Sequence, residues 1–155
     1  MKLNSATMSM LALASVLIGA DGWRQVDEGG FRFDVPANWE KKEVQGIDSL
    51  VGHYEGPDGR LEFDGFGYYS AFHSRNAIAA MKAKETNPKL LEPGEEIWRI
   101  DGHLASFRSS PREASIYIYN DEDRWTLSMR ITFAIEDFLP TARRILSSVK
   151  IKQKP

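Results

Sequence analysis

The chain has 155 residues, 42% hydrophobic and 27% charged, enough for one globular domain with its own core. Its formal net charge of −2 gives no electrostatic case for a nucleic-acid partner. With no cysteine, disulfides, thiol chemistry and thiolate metal sites are excluded.

The first element is an apolar run from Met8 to Ile18, preceded by Lys2 and closed by Gly19-Ala20. A positive start, a short apolar stretch and small residues at its end form the pattern of an export signal. The run is too short to span a bilayer, which takes about 20 apolar residues. Residues 1–20 are therefore expected to be a signal peptide cut after Ala20. Residues 21–155 would form a single domain, exported to the periplasm or beyond the cell. The competing reading is a buried N-terminal helix of a cytosolic domain. The lack of disulfides does not count against export, because a core of this size can do without them. No other stretch is apolar enough to cross a membrane.

Phe31, Phe33 and Val35 alternate with Arg32 and Asp34, the period of a half-buried strand. Pro36 ends it, and Trp39 is placed to fold back as a lid on the core. Ser49 to Tyr54 and Leu61 to Tyr69 flank Pro57-Asp-Gly59, a turn in which Pro57 presets φ and Gly59 would accept a positive one. Gly65 and Gly67 interrupt the second strand, which predicts a bulge or a close backbone approach. Ser74 can cap a helix that runs to about Thr86 and stops at Asn87-Pro88. Ala77, Ile78, Met81 and Ala80 give that helix a narrow apolar face.

Beyond Gly94 the pattern sharpens. Glu95 to Ile100 and His103 to Ser110 read as strands joined at Asp101-Gly102. Glu113 to Tyr119 forms a hairpin with Arg124 to Ala134 across Asn120 to Asp123. Trp125, Leu127, Met129, Ile131 and Phe133 alternate with Thr126, Ser128, Arg130 and Thr132, the signature of a sheet with one wet face. The period then changes. Phe138, Leu139, Ala142, Ile145, Leu146 and Val149 form one helical stripe, with Asp137 as the expected cap and Pro140 in the first turn. The expected fold is α+β: an antiparallel sheet of about six or seven strands and two main helices, the C-terminal one packed on the sheet.

Four segments together resemble the PsbP-like and DcrB-like secreted domains. They are Phe31-x-Phe-x-Val-Pro-x-x-Trp39, Asp101-Gly-His-x-Ala105, the long hairpin 113–134, and Ile145-Leu-Ser-Ser-Val149 in the closing helix. The resemblance implies an α/β sandwich with an antiparallel sheet. Functionally that family is mixed: extrinsic photosystem proteins, periplasmic proteins and some cytosolic chaperones. It shares no catalytic set, so the resemblance assigns no catalytic residue and no photosystem role.

Residue chemistry adds candidates. His53, His73 and His103 are the only imidazoles, and none has a second histidine at ligand spacing. Glu55 beside His53, and Asp101 before His103, are the nearest oxygen partners for a zinc or manganese ion. Isolated surface histidines are the commoner outcome, and no metal or cofactor is assigned. Glu62 and Asp64 share one strand face and would suit a hydrolase pair, or simply a solvated strand. Asp121-Glu-Asp123 is an acidic hairpin tip without the calcium-loop pattern. No Gly-x-Ser-x-Gly elbow is present. Arg143-Arg144 with Lys150, Lys152 and Lys154 make a small basic end, suited to a helix C-terminus.

The leading surface candidate is aromatic. Phe66, Tyr68, Tyr69 and Phe72 lie in a glycine-interrupted strand leading to a helix, where a ligand or partner can approach the backbone. The plainer reading makes them core residues with wet hydroxyls. One of the pairs Tyr117 and Tyr119 or Ile116 and Ile118 should also face outward. The expectation is a non-enzymatic accessory or protein-binding module of the cell envelope, whose partner is an unidentified protein or small ligand. The alternatives are an envelope small-molecule or metal-binding protein and, third, a hydrolase.

Overall fold

The computed structural model describes residues 22–47, 49–66, 74–120 and 125–152, without the side chains of Ser74 and Arg75. The expected signal segment lies outside them.

Among the described residues, ten strands form two sheets. The smaller holds β1 (Trp23–Asp27), β2 (Phe31–Pro36) and β10 (Lys150–Ile151), with β2 in the middle. The larger has seven strands: β3 (Glu40–Lys42), β4 (Leu50–Glu55), β5 (Gly59–Gly65), β6 (Glu95–Ile100), β7 (His103–Ser110), β8 (Glu113–Asn120) and β9 (Trp125–Phe133). Their spatial order is β3-β4-β5-β9-β8-β7-β6, and every pairing is antiparallel. The described residues also form two α-helices, α1 (Ser74–Thr86) and α2 (Leu139–Ser147).

Period-two alternation decides which side of the large sheet is dry. Leu61, Phe63, Phe107, Ala114, Ile116, Ile118, Leu127, Met129, Ile131 and Phe133 all point inward and are buried. Ala142, Ile145 and Leu146 of α2 lie against this face, as do Phe31, Phe33 and Val35 of the small sheet, in one continuous core. The opening strand therefore belongs to a second layer, facing the large sheet rather than extending it. Trp39 is the lid its position suggested, stacked on Phe138 with ring centres 5.9 Å apart.

Several local expectations change. Gly59 does not take a positive φ; it is the first residue of β5, paired with Phe133. A Cβ there would lie a tight 3.2 Å from both Trp39 and Phe138, so the lid closes snugly over this glycine. Gly65 makes the predicted close approach: a Cβ would come within 2.7 Å of the Leu127 side chain. Asp137 does not cap α2. It sits inside a 3-10 turn, Glu136–Phe138, which leads directly into the helix. Val149 lies past the end of α2 but is fully buried. Its stripe position survives because the chain turns there into β10.

Candidate interaction surfaces

The outward face of the large sheet is polar, as the alternation in β9 predicts. One cross-strand row runs Lys42, His53, Glu62, Arg130, Ser115, Arg108, Glu95, each residue opposite the next. Opposite charges near one another on a sheet stabilise it weakly and fix its register. Here they also pair along a strand, as Arg60–Glu62 and Lys42–Glu40 do, and diagonally between β8 and β9. Arg60 Nη2 lies 2.6 Å from Glu62 Oε1, Arg130 Nη2 lies 2.7 Å from Glu113 Oε2, and Lys42 Nζ lies 2.9 Å from Glu40 Oε2. The hydrogen bond donated by Lys42 holds the Glu40 carboxyl below its ordinary range, and the one Arg130 donates to Glu113 raises the Arg130 guanidinium. Tyr117 stands among these groups at 45% exposure, while Ile116 and Ile118 are buried, so the tyrosine pair is the outward one.

α1 covers only the β6–β8 end of this face. Under it lies Glu95, whose side chain is 2% exposed. Lys84 Nζ donates to both carboxylate oxygens at 2.8 and 2.7 Å, and the Glu92 backbone N–H donates to Oε2 at 3.0 Å. Arg108 Nη2 lies 3.5 Å away. Burial alone would raise this carboxyl, but the Glu92 N–H, Lys84 and Arg108 together hold it below the usual range.

His73 lies outside the described residues, and the other two histidines fall on opposite sides of the sheet. His53 is on the outward face; its side chain is 13% exposed and Nε2 sits 3.5 Å from Glu55 Oε2. That contact is not a hydrogen bond, and the buried Nε2 has no hydrogen-bond partner among the described residues. His103 points inward, its ring 5.2 Å from Trp125. Asp101 is engaged elsewhere: Oδ2 accepts from the Ile151 N–H at 2.7 Å, and Oδ1 lies 3.6 Å from Lys150. The structure thus separates the two candidate metal pairs. Among the described residues no group of three or more His, Asp or Glu could hold a metal ion. Glu62 and Asp64 share the outward face of β5, with Glu62 tied to Arg60.

At the aromatic candidate, Phe66 is the one described member. It is half-buried, at φ +61°, and its N–H donates to the Thr126 carbonyl at 3.0 Å. Its ring centre lies 5.0 Å from Trp125 and 6.0 Å from Phe31. A left-handed backbone on a phenylalanine is uncommon and stores strain. The packing around the ring holds it there. Tyr68, Tyr69 and Phe72, like Asp121 and Asp123, lie outside the described residues.

Two clusters escaped the sequence reading. Glu28, with a side chain 6% exposed, accepts a hydrogen bond from the Tyr54 hydroxyl and two 2.9 Å bonds from Lys41 Nζ. Burial first, and then Glu28, push the Tyr54 phenol far up. This network ties the small sheet to β3 and β4. Its members are far apart in sequence, so no local pattern announces it. The second cluster is at the basic end. Arg143 donates to both oxygens of Glu96, at 2.6 and 2.9 Å, and its guanidinium carbon lies 4.6 Å from the Phe107 ring centre. Arg144 stacks 3.9 Å over Trp23, and Lys152 pairs with Asp27 at 2.5 Å. These cations clasp the layers together rather than merely answering the helix C-terminus.

No family model and no curated protein matches the sequence. Solved structures do match. The solution structure of cyanobacterial PsbP (CyanoP) from Synechocystis sp. PCC 6803 has a TM-score of 0.53 at 14% identity, covering 88% of this chain and 96% of that one. The fold is PsbP-like. A crystal structure from Bacteroides thetaiotaomicron VPI-5482 matches with a TM-score of 0.51 at 10% identity, over 86% of this chain and 49% of that one. At these identities the PsbP-like likeness is one of fold, and neither match bears on DcrB-like proteins specifically. No helix among the described residues is long and apolar enough to cross a membrane.

Proposed function

We propose that this chain is a non-enzymatic accessory or protein-binding module of the cell envelope, exported by its N-terminal signal. A PsbP-like fold is compatible with such a role. The observation that carries the reading is the outward sheet face. It is broad, α1 shields only one end of it, and its carboxylates and guanidinium groups are tied to one another along and across strands. Fixed, paired charges of both signs around an exposed tyrosine suit recognition of a complementary surface. The aromatic segment beginning at Phe66, with Tyr68, Tyr69 and Phe72, is the second contact region in this proposal.

The test is capture of partners from the native envelope, followed by titration with wild type, Tyr117→Ala, Tyr68→Ala and Tyr69→Ala. An aromatic anchor at an interface costs about 2 kcal/mol or more on truncation. At least one of these variants should lose that much affinity while its melting temperature stays within a degree or two, as expected of a surface change. Unchanged binding by all three would remove both regions from the interface. The unsatisfied His53 Nε2 favours a second reading, metal or small-molecule binding. Stoichiometric zinc that is lost on His53→Ala would move the assignment there.

A further inference from the structure

We infer that α1 is a strap that opens and closes over the outward sheet face independently of the rest of the fold. The two helices are attached in different ways. α2 buries Ala142, Ile145 and Leu146 completely in the main core. Among the described side chains of α1, only Ile78 and Met81 are buried. These two meet Leu104 in a small cluster separate from the main core, with Ile97 and Tyr119 at its rim. The seven-stranded sheet lies between that cluster and the main core, so the main core stays whole when α1 leaves.

Among the described residues, the remaining side-chain attachment of α1 is polar. Lys84 bonds Glu95 at 2.7 Å, and Glu85 receives two 2.8 Å bonds from Arg99. Both pairs sit in the last turn of the helix, and both reach β6, the edge strand of the sheet. A thirteen-residue helix is marginal on its own in water, so release and unwinding are one event. Segments with few buried apolar contacts open below the global unfolding free energy. When the strap opens, Leu104 and Tyr119, which face each other, and Ile97 and Tyr117, which flank Ser106, lie uncovered in two adjacent rows across β6, β7 and β8. That would make the surface available to a partner a two-state property of the protein.

The experiment is native-state hydrogen exchange by mass spectrometry on the full chain, comparing peptides of α1 with peptides of β8 and β9. The expected result is measurable protection in α1, with exchange about 100-fold or more faster than in the two central strands. Met81→Ala, which trims the satellite cluster, should speed α1 exchange about tenfold and leave β8 and β9 unchanged. Lys84→Met tests the polar attachment with less disturbance of packing and should act in the same direction. Equal protection of α1 and the central strands would overturn the inference. So would α1 amides with no protection at all, variants that leave α1 exchange unchanged, or variants that accelerate helix and strands in step.

Discussion

The two faces of the seven-stranded sheet are built from the same strands by opposite rules. The inward face is apolar from β4 to β8, save for the buried Asn120 at the end of β8, and is sealed by α2 and the small sheet. Its residues are fixed by volume, because an interior at crystal-like packing density has no slack. The outward face is held by ion pairs and one small apolar cluster under α1. Surface pairs contribute about 0–1 kcal/mol each. The lesson is a division of labour: stability resides on one side of the sheet, and the side left open is free to serve recognition.

The largest expected effect lies on the inward side. Phe107 is fully buried and stacked on Trp98, with ring centres 4.2 Å apart. Phe107→Ala should cost about 3–5 kcal/mol in chemical denaturation. A loss under 1 kcal/mol would mean that the inner face is not close-packed. A smaller effect is expected from Glu95, beneath the strap. Because its carboxyl is held below the ordinary range, its contribution is present above the unfolded pKa and is lost as pH falls through the lowered folded value. The groups facing it are Lys84 from α1, Arg108 and Ser106 from β7, and the Glu92 N–H. The wild type should therefore lose stability on acidification below about pH 4 more steeply than Glu95→Gln does. Parallel acid titrations would show that the ion pair contributes nothing. The smallest effect belongs to the open face: Arg130→Ala, which breaks the exposed pair with Glu113, should change stability by about 0.5 kcal/mol or less.

Much of this asymmetry was legible in the residues. Trp125 to Phe133 and the stripe from Phe138 to Val149 state their periods plainly, and both the large sheet and its helix are where those periods placed them. The strands that went unseen are Trp23–Asp27, Glu40–Lys42 and Lys150–Ile151. They are short, and across all three only Val26 is buried, so period two had almost nothing to act on. Without them the second sheet, and with it the two-layer character of the fold, was not readable. The candidate site was less legible still. Spacing within a strand put Glu55 near His53, but the cross-strand row from Lys42 to Glu95 depends on the pairing order of seven strands. Phe66 was singled out for its glycine neighbours; its left-handed backbone and contacts with Phe31 and Trp125 come from tertiary packing.

The most direct test is denaturation of two neighbours on β9. Ile131 is fully buried on the inward face, and Thr132 lies beside it on the outward one. Ile131→Ala should cost about 2–5 kcal/mol, and Thr132→Ala about 0.5 kcal/mol or less. Equal losses for the two variants would contradict the register, and with it the division between a stabilising face and an open one.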